Sequence, residues 1–369
     1  MKLWKEYGCG VVLSAGLTML APAAAAGQPV SQGEYVFSAN QADHSLSAYR
    51  VDAENGALLP LEGSPVETDM LPVAVAVFLR EHFIYVSNQG SGTLSGFAVT
   101  EDGRSLTPLP GFPYGVDSYP DAVTITPDGR FLLVSYEDEG MVETFRIDAG
   151  SGVLSATHQR TRTGRHPIAI TVAPNGRFAF ISNYDDDSID AYRFDGDSGA
   201  LVPVGAKAKT DTHPIYIAVS ADSRLLYTAN YGSTTVSAFR IDAESGMLSP
   251  VPGSPFVAGA KPYSVTIDPE QRFLYVANWA GHDVSVFNLN HDSGILAEVA
   301  GSPFKAGWYP YAVVVDPQDH YVYVANNGEA SISAYDIEEE TGALKPLRNS
   351  PFLSGLGPYS LAIAANRGG

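Results

Sequence analysis

The chain has 369 residues, with 41 acidic against 22 basic side chains, a formal charge of −19, 36 glycines, 25 prolines and one cysteine. At 45% hydrophobic and 17% charged it holds enough apolar material for a buried core, which excludes a disordered chain. The glycine and proline content argues against long helices and for short strands joined by turns, and the acid surplus repels nucleic acid and anionic lipid.

Taken in chain order, the first element is an export signal spanning residues 1–26. Lys2 and Lys5 precede an apolar stretch from about Cys9 to Leu20, and Ala24-Ala25-Ala26 supplies small residues for cleavage. The stretch is too short for a stable membrane span, and none is expected after cleavage. Cys9 lies too early to accept a lipid, and beyond it the chain has no cysteine, so disulfides and thiol catalysis are excluded. The expected location is the periplasm or the medium. Residues 27–369 are expected to form one domain and to act as a monomer.

From about Glu34 onward one unit recurs: a proline, an alternating apolar strand, a turn, a second strand ending in asparagine, a third strand, then Ser-Gly-x-Leu and a fourth. The ends of the second strands set the register at Asn40, Asn88, Tyr136, Asn183, Asn230, Asn278 and Asn326, successive positions being 47 or 48 residues apart. Runs such as Phe273-Leu274-Tyr275-Val276-Ala277 have the period-two pattern of strands. Four short strands per unit of this length read as a β-propeller blade, and seven units as an all-β, seven-bladed β-propeller with four-stranded antiparallel blades. The first unit lacks its leading strand, and a spare copy, Pro358-Tyr359-Ser360-Leu361-Ala362-Ile363, lies at the C-terminus. One C-terminal strand joined to three N-terminal strands would close the ring and leave no open edges.

The segments Tyr275-Val276-Ala277-Asn278, Tyr323-Val324-Ala325-Asn326 and Ala229-Asn230-Tyr231-Gly232 resemble the lactonase family of seven-bladed propellers, which includes 6-phosphogluconolactonase-like proteins, and the related YVTN-repeat propellers. The resemblance implies lactone opening or closing with neither cofactor nor metal. Its pattern of His-Pro-His ahead of an inner strand meets His166-Pro167-Ile168 and His213-Pro214-Ile215 here, with isoleucine at the second histidine. The Arg-His pair of the pattern has its nearest counterpart in Arg165-His166, three residues early.

Function in a propeller gathers at the loops entering the first strand and leaving the second, around the channel mouth. The entering positions are Leu71, Tyr119, His166, His213, Lys261, Tyr309 and Gly357; the leaving positions are Gln41, Gln89, Glu137, Tyr184, Tyr231, Trp279 and Asn327. Tyr119, Tyr184, Tyr231, Lys261, Trp279 and Tyr309 are therefore candidate contacts for a sugar-like or lactone ligand. The asparagine anchors themselves read as scaffold, since nearly every unit repeats them.

Breaks in the repeat carry more information. Five units end in Gly-Ser-Pro-Phe or a relative, whereas the third runs Gln159-Arg160-Thr161-Arg162-Thr163-Gly164-Arg165 and the fourth Lys207-Ala208-Lys209, each followed by a histidine. Arg160 and Arg162 are candidate ligand contacts for an anionic group, unless these bases pair with Asp185 to Asp187. His166 and His213 are the candidate general bases for water attack on a lactone carbonyl, Arg165 the candidate oxyanion partner, and Glu137 an alternative acid or base. The run Asp185-Asp186-Asp187 lacks the spacing of a calcium loop, so no metal site is expected. The reading is a lactone hydrolase acting on a small carboxylate or sugar lactone. The alternative is a non-catalytic propeller that binds a glycan or protein through Trp279, Trp308, Tyr309 and Tyr311.

Overall fold

A computed structural model describes residues 33–78 and 82–366; the export signal expected at residues 1–26 lies outside these. The described residues form seven antiparallel sheets arranged as blades. Blade 4 shows the pattern: Pro167–Val172 lines the centre, followed outward by Phe178–Asn183, Ser188–Phe194 and the short pair Leu201–Pro203 and Ala208–Lys209. The second strand is buried along its whole length, because one of its faces packs on each neighbouring blade. This explains why these strands read as almost unbroken apolar runs.

Blade 1 closes the ring as expected. Its inner strand is Pro358–Asn366, which pairs antiparallel with Gly33–Asn40, opposing Val36 to Ile363 and Phe37 to Ala362. Blade 3 departs from the others by having one continuous outer strand, Leu154–Arg162, in place of two short pieces. In blades 1, 5, 6 and 7 a Ser-Pro pair interrupts that edge, and the serine hydroxyl accepts from the third strand, as from Ala238 N–H to Ser254 Oγ at 2.8 Å. Blade 3 lacks this device and keeps pairing to Arg162 opposite Met141. No helix among the described residues is long and apolar enough to cross a membrane.

Side chains staple adjacent blades on the face opposite the mouth. Tyr85, Tyr227 and Tyr323 each donate a buried hydroxyl to a glycine carbonyl of the next blade, at Gly152, Gly294 and Gly56, all at 2.8 Å. Gly152 has φ +68, and a Cβ there would lie 2.8 Å from Phe83 and Leu109, so the turn both needs glycine's freedom and needs its missing side chain. Arg146, Arg193 and Arg240 reach across similarly to the carbonyls of Asp197, Glu244 and Asp292.

Between blades 6 and 7 the staple is a buried charged cluster. Asp268 accepts from the amide of Phe273 at 2.8 Å, Arg272 bonds Asp319, and Arg272 Nε stands 3.5 Å from Asp268. Burial, reinforced by the charge of Asp319, pushes the Asp268 carboxyl up to about 7. Between roughly pH 4 and 7 the folded protein therefore keeps a proton that the unfolded chain has released, and stability falls as pH rises through that window. Asp268→Asn should match the parent near pH 4 and exceed it at pH 8 by about 2 kcal/mol, as read by urea unfolding at both pH values.

Candidate active site

The mouth is built on a repeated backbone constraint. All seven residues ahead of the inner-strand prolines have left-handed φ, from +50° at His166 to +68° at Gly357. Each accepts at its carbonyl from the amide that follows the second strand: Glu137 to Tyr119, Tyr184 to His166, Tyr231 to His213, Trp279 to Lys261, and likewise in the other three blades. Beneath this ring the asparagine anchors are internal struts. Asn278, for example, donates to Asp283 at 2.7 Å and Ser285 at 2.9 Å and accepts from Gly259 N–H at 3.2 Å. Their role as scaffold thus holds in the structure.

At blades 3 and 4 the ring opens into a cleft of roughly 380 Å³ that includes Glu137, Arg162, Arg165, His166, Asp185 and Asp186 in its walls. His166 Nδ1 lies 2.9 Å from Asp185 Oδ2. That contact is the orienting partner the sequence reading lacked, and it leaves Nε2 as the nitrogen free to accept a proton. Its origin lies in the repeat. Asp185 sits two residues beyond its anchor, where blades 2, 5 and 7 have Gly90, Gly232 and Gly328. A Cβ at Gly232 would fall 2.8 Å from His213 Nδ1, which shows how closely this position faces the side chain of the entering residue. An aspartate there in blade 4 holds its histidine; a glycine there in blade 5 does not.

Glu137 forms another wall. Gln89 Nε2 donates to its Oε2 at 3.2 Å, and burial raises its carboxyl above the ordinary glutamate range, against the opposing charge of His166. A half-buried carboxyl shifted this way is suited to hold or receive a proton near the imidazole.

The basic residues divide. Arg165 gives Nε to Asp186 at 2.8 Å and Nη2 to the Asp185 carbonyl at 2.7 Å, while Lys207 meets the same Asp186 at 2.9 Å. The Arg165 bond first, and then Lys207, hold the Asp186 carboxyl well below the usual carboxylate range. Arg160 is surrounded by Asp117, Glu139 and Glu143. Arg162, at the end of the continuous outer strand of blade 3, lines the cleft and forms no ion pair among the described residues.

The remaining candidates lie elsewhere on the mouth. His213 is not part of the cleft: its ring stacks on Tyr184 at 4.1 Å and its amide donates to Asp187. Tyr231, Trp279 and Tyr309 form a chain of ring contacts at 6.0 and 4.8 Å, with Lys261 Nζ 4.6 Å over Tyr231, and the series continues through His282 to Trp308. Tyr119 is half exposed and contributes its carbonyl to Glu137.

Inside the channel lies a site the sequence reading missed. Asp121, 7% exposed, borders a cavity of about 160 Å³ lined also by Tyr216, Tyr263 and Tyr359 and by Val73 and Ile168 of the two flanking blades. Burial, and then the charge of Glu137, push its carboxyl well up. Aligning the residue after each inner-strand proline would have found it: the position reads Val73, Asp121, Ile168, Ile215, Tyr263, Tyr311 and Tyr359, a single acid among apolar and tyrosyl side chains.

A profile of the family described as "Lactonase, 7-bladed beta-propeller" matches residues 61–167, 155–266 and 248–355. Among solved structures, a candidate 6-phosphogluconolactonase of Bacteroides uniformis superposes with a TM-score of 0.78 at 19% identity, covering 90% of this chain and 99% of its own. The periplasmic gluconolactonase of Pseudomonas aeruginosa gives 0.73 at 20%, with 90% and 99% covered. The hydrazine synthase of Kuenenia stuttgartiensis gives 0.60 at 18%, with 83% and 99% covered. At such identities these likenesses speak to fold alone, and no curated protein matches the sequence.

The contact with Asp185 determines the imidazole tautomer. Long-range proton–nitrogen correlation on histidine-labelled protein above the imidazole titration should show His166 carrying its proton on Nδ1, and Asp185→Ala should shift it toward Nε2. An Nε2-protonated His166 in the parent protein would contradict the dyad.

Proposed function

Because this chain belongs to the lactonase family of seven-bladed β-propellers, we propose that it is an exported hydrolase that opens a small carboxylate or sugar lactone in the cleft of blades 3 and 4. The observation that carries this reading is the His166–Asp185 contact at 2.9 Å in the wall of a solvent-open cleft. His166 Nε2 takes a proton from water as the water oxygen attacks the lactone carbonyl. Asp185 keeps the imidazole oriented and stabilises the imidazolium formed. The negative charge developing on the carbonyl oxygen meets Arg162, the cleft cation with no carboxylate of its own, whereas Arg165, first expected in that role, is engaged by Asp186. As the ring ester bond breaks, the leaving alkoxide takes a proton from His166 or from Glu137, whose raised carboxyl suits it as a donor. Export is supported by the signal-like residues 1–26.

One observation favours a second reading, in which the propeller binds a glycan or protein without chemistry. Trp308 is 59% exposed and stacks on His282, extending the aromatic chain of blades 5 to 7 into an open platform. Fold alone does not choose between these readings.

A pH-stat assay with γ- and δ-lactones separates them. The purified protein should exceed the buffer rate. His166→Ala should lower kcat by roughly 100-fold or more, and Asp185→Asn by at least about tenfold. His213→Ala, held behind Tyr184, should remain within about threefold of the parent. No turnover, or turnover indifferent to His166→Ala, would remove the hydrolase and leave the binding platform.

A further inference from the structure

The charge of the cleft discriminates among lactones. Its walls carry the carboxyl groups of Glu137, Asp138, Glu139, Asp185 and Asp186 against the three cations Arg162, Arg165 and Lys207. Arg165 and Lys207 both lie on Asp186 at 2.8 and 2.9 Å, Glu139 lies 3.3 Å from Arg160 and Asp185 2.9 Å from His166, so the wall acids without an ion pair among the described residues are Glu137 and Asp138. Arg162 alone among the three cations has no ion pair among the described residues. The chain as a whole carries −19.

A phosphate monoester brings about −1.5 to −2 charges at pH 7 and is held where several donors converge on its oxygens. Here it would meet one open guanidinium in a wall whose acids outnumber its lysine and arginine cations five to three. The hydroxyls of an uncharged sugar ring have the opposite need, because each carries a proton to donate and ionised carboxylates only accept.

Taking the lactonase reading as its basis, we infer that the cleft accepts an uncharged, polyhydroxylated lactone of the sugar type and rejects the phosphorylated counterpart through repulsion by its own carboxylates. This selectivity separates the chain from the phosphorylated substrate that the name of its Bacteroides neighbour denotes. It also makes two features interdependent: the excess of acid that repels phosphate supplies the acceptors for hydroxyls, and the single open arginine remains available for the carbonyl oxygen.

The experiment compares glucono-δ-lactam, a hydrolysis-resistant isostere, with its 6-phosphate by calorimetry, in parallel with turnover of the corresponding lactones. The neutral lactam should bind at least tenfold more tightly at 10 mM salt, and the gap should narrow at 0.5 M as screening grows. Glu139→Lys, which reverses one wall charge, should raise affinity for the phosphorylated lactam several-fold relative to the neutral one and so narrow the gap between them. Neutral preference without turnover would uphold the selectivity and remove the hydrolase. Equal or tighter binding of the phosphorylated lactam would overturn the selectivity even if both lactones are hydrolysed, and absence of binding by either lactam would overturn it as well.

Discussion

Seven times around the channel, an amide at the end of the second strand donates to the carbonyl of a residue held in the left-handed region ahead of the first. For non-glycine residues that conformation costs on the order of 1 kcal/mol each, and it persists because the paired strands on either side leave the chain no other way to turn. The consequence is geometric. Each blade presents two residues to the mouth in fixed relation, so the chemistry of the mouth is decided by which side chains occupy equivalent positions and not by loop conformation. Closure by Pro358–Asn366 against Gly33–Asn40 makes the constraint circular, since every blade is then packed on two neighbours.

On such a uniform frame a functional site is a local difference. Blades 4 and 5 both place a histidine in the left-handed position, and both follow it with proline. What separates them is the residue two beyond the anchor. Asp185 meets His166, whereas Gly232 leaves His213 with a stacking contact on Tyr184. The same comparison distinguishes the two arginines. Arg165 is part of the clamp on Asp186 that joins the loops of blade 4, and Arg162 reaches the cleft because the outer strand of blade 3 runs on uninterrupted. A histidine–aspartate pair and an open cation therefore arise from departures at two adjacent blades, while the aromatic platform of blades 5 to 7 occupies another part of the ring.

The architecture was legible because it is written seven times. Proline spacing, alternating strands and the anchors from Asn40 to Asn326 determined the blade count, and the stranded copy at Pro358 revealed the closure. The unbroken outer strand of blade 3 was less accessible, since the loss of Gly-Ser-Pro says that an interruption is missing without saying that pairing continues. At the site, His166, Arg165, Arg162 and Glu137 were identified by type and register, and the structure brings them to one cleft; Arg160 and His213 were named on the same grounds and lie outside it. Asp185 was seen only as one member of an acidic run. Its meaning depends on the 19-residue separation from His166 being closed by the backbone bond between Tyr184 and His166, a tertiary fact carried by the repeat and not by local sequence. Asp121 stands in the column that follows the inner-strand proline, beyond the one that holds the histidines, and only the burial of that column inside the channel gives the acid its significance.

The most direct test of the central claim is a crystal structure of the protein with glucono-δ-lactam. The account predicts the lactam in the cleft of blades 3 and 4, its carbonyl oxygen directed at Arg162 and its carbonyl carbon within reach of a water held by His166 Nε2. A lactam resting instead on the Trp279–Tyr309 platform, with the His166–Asp185 cleft holding only solvent, would contradict it.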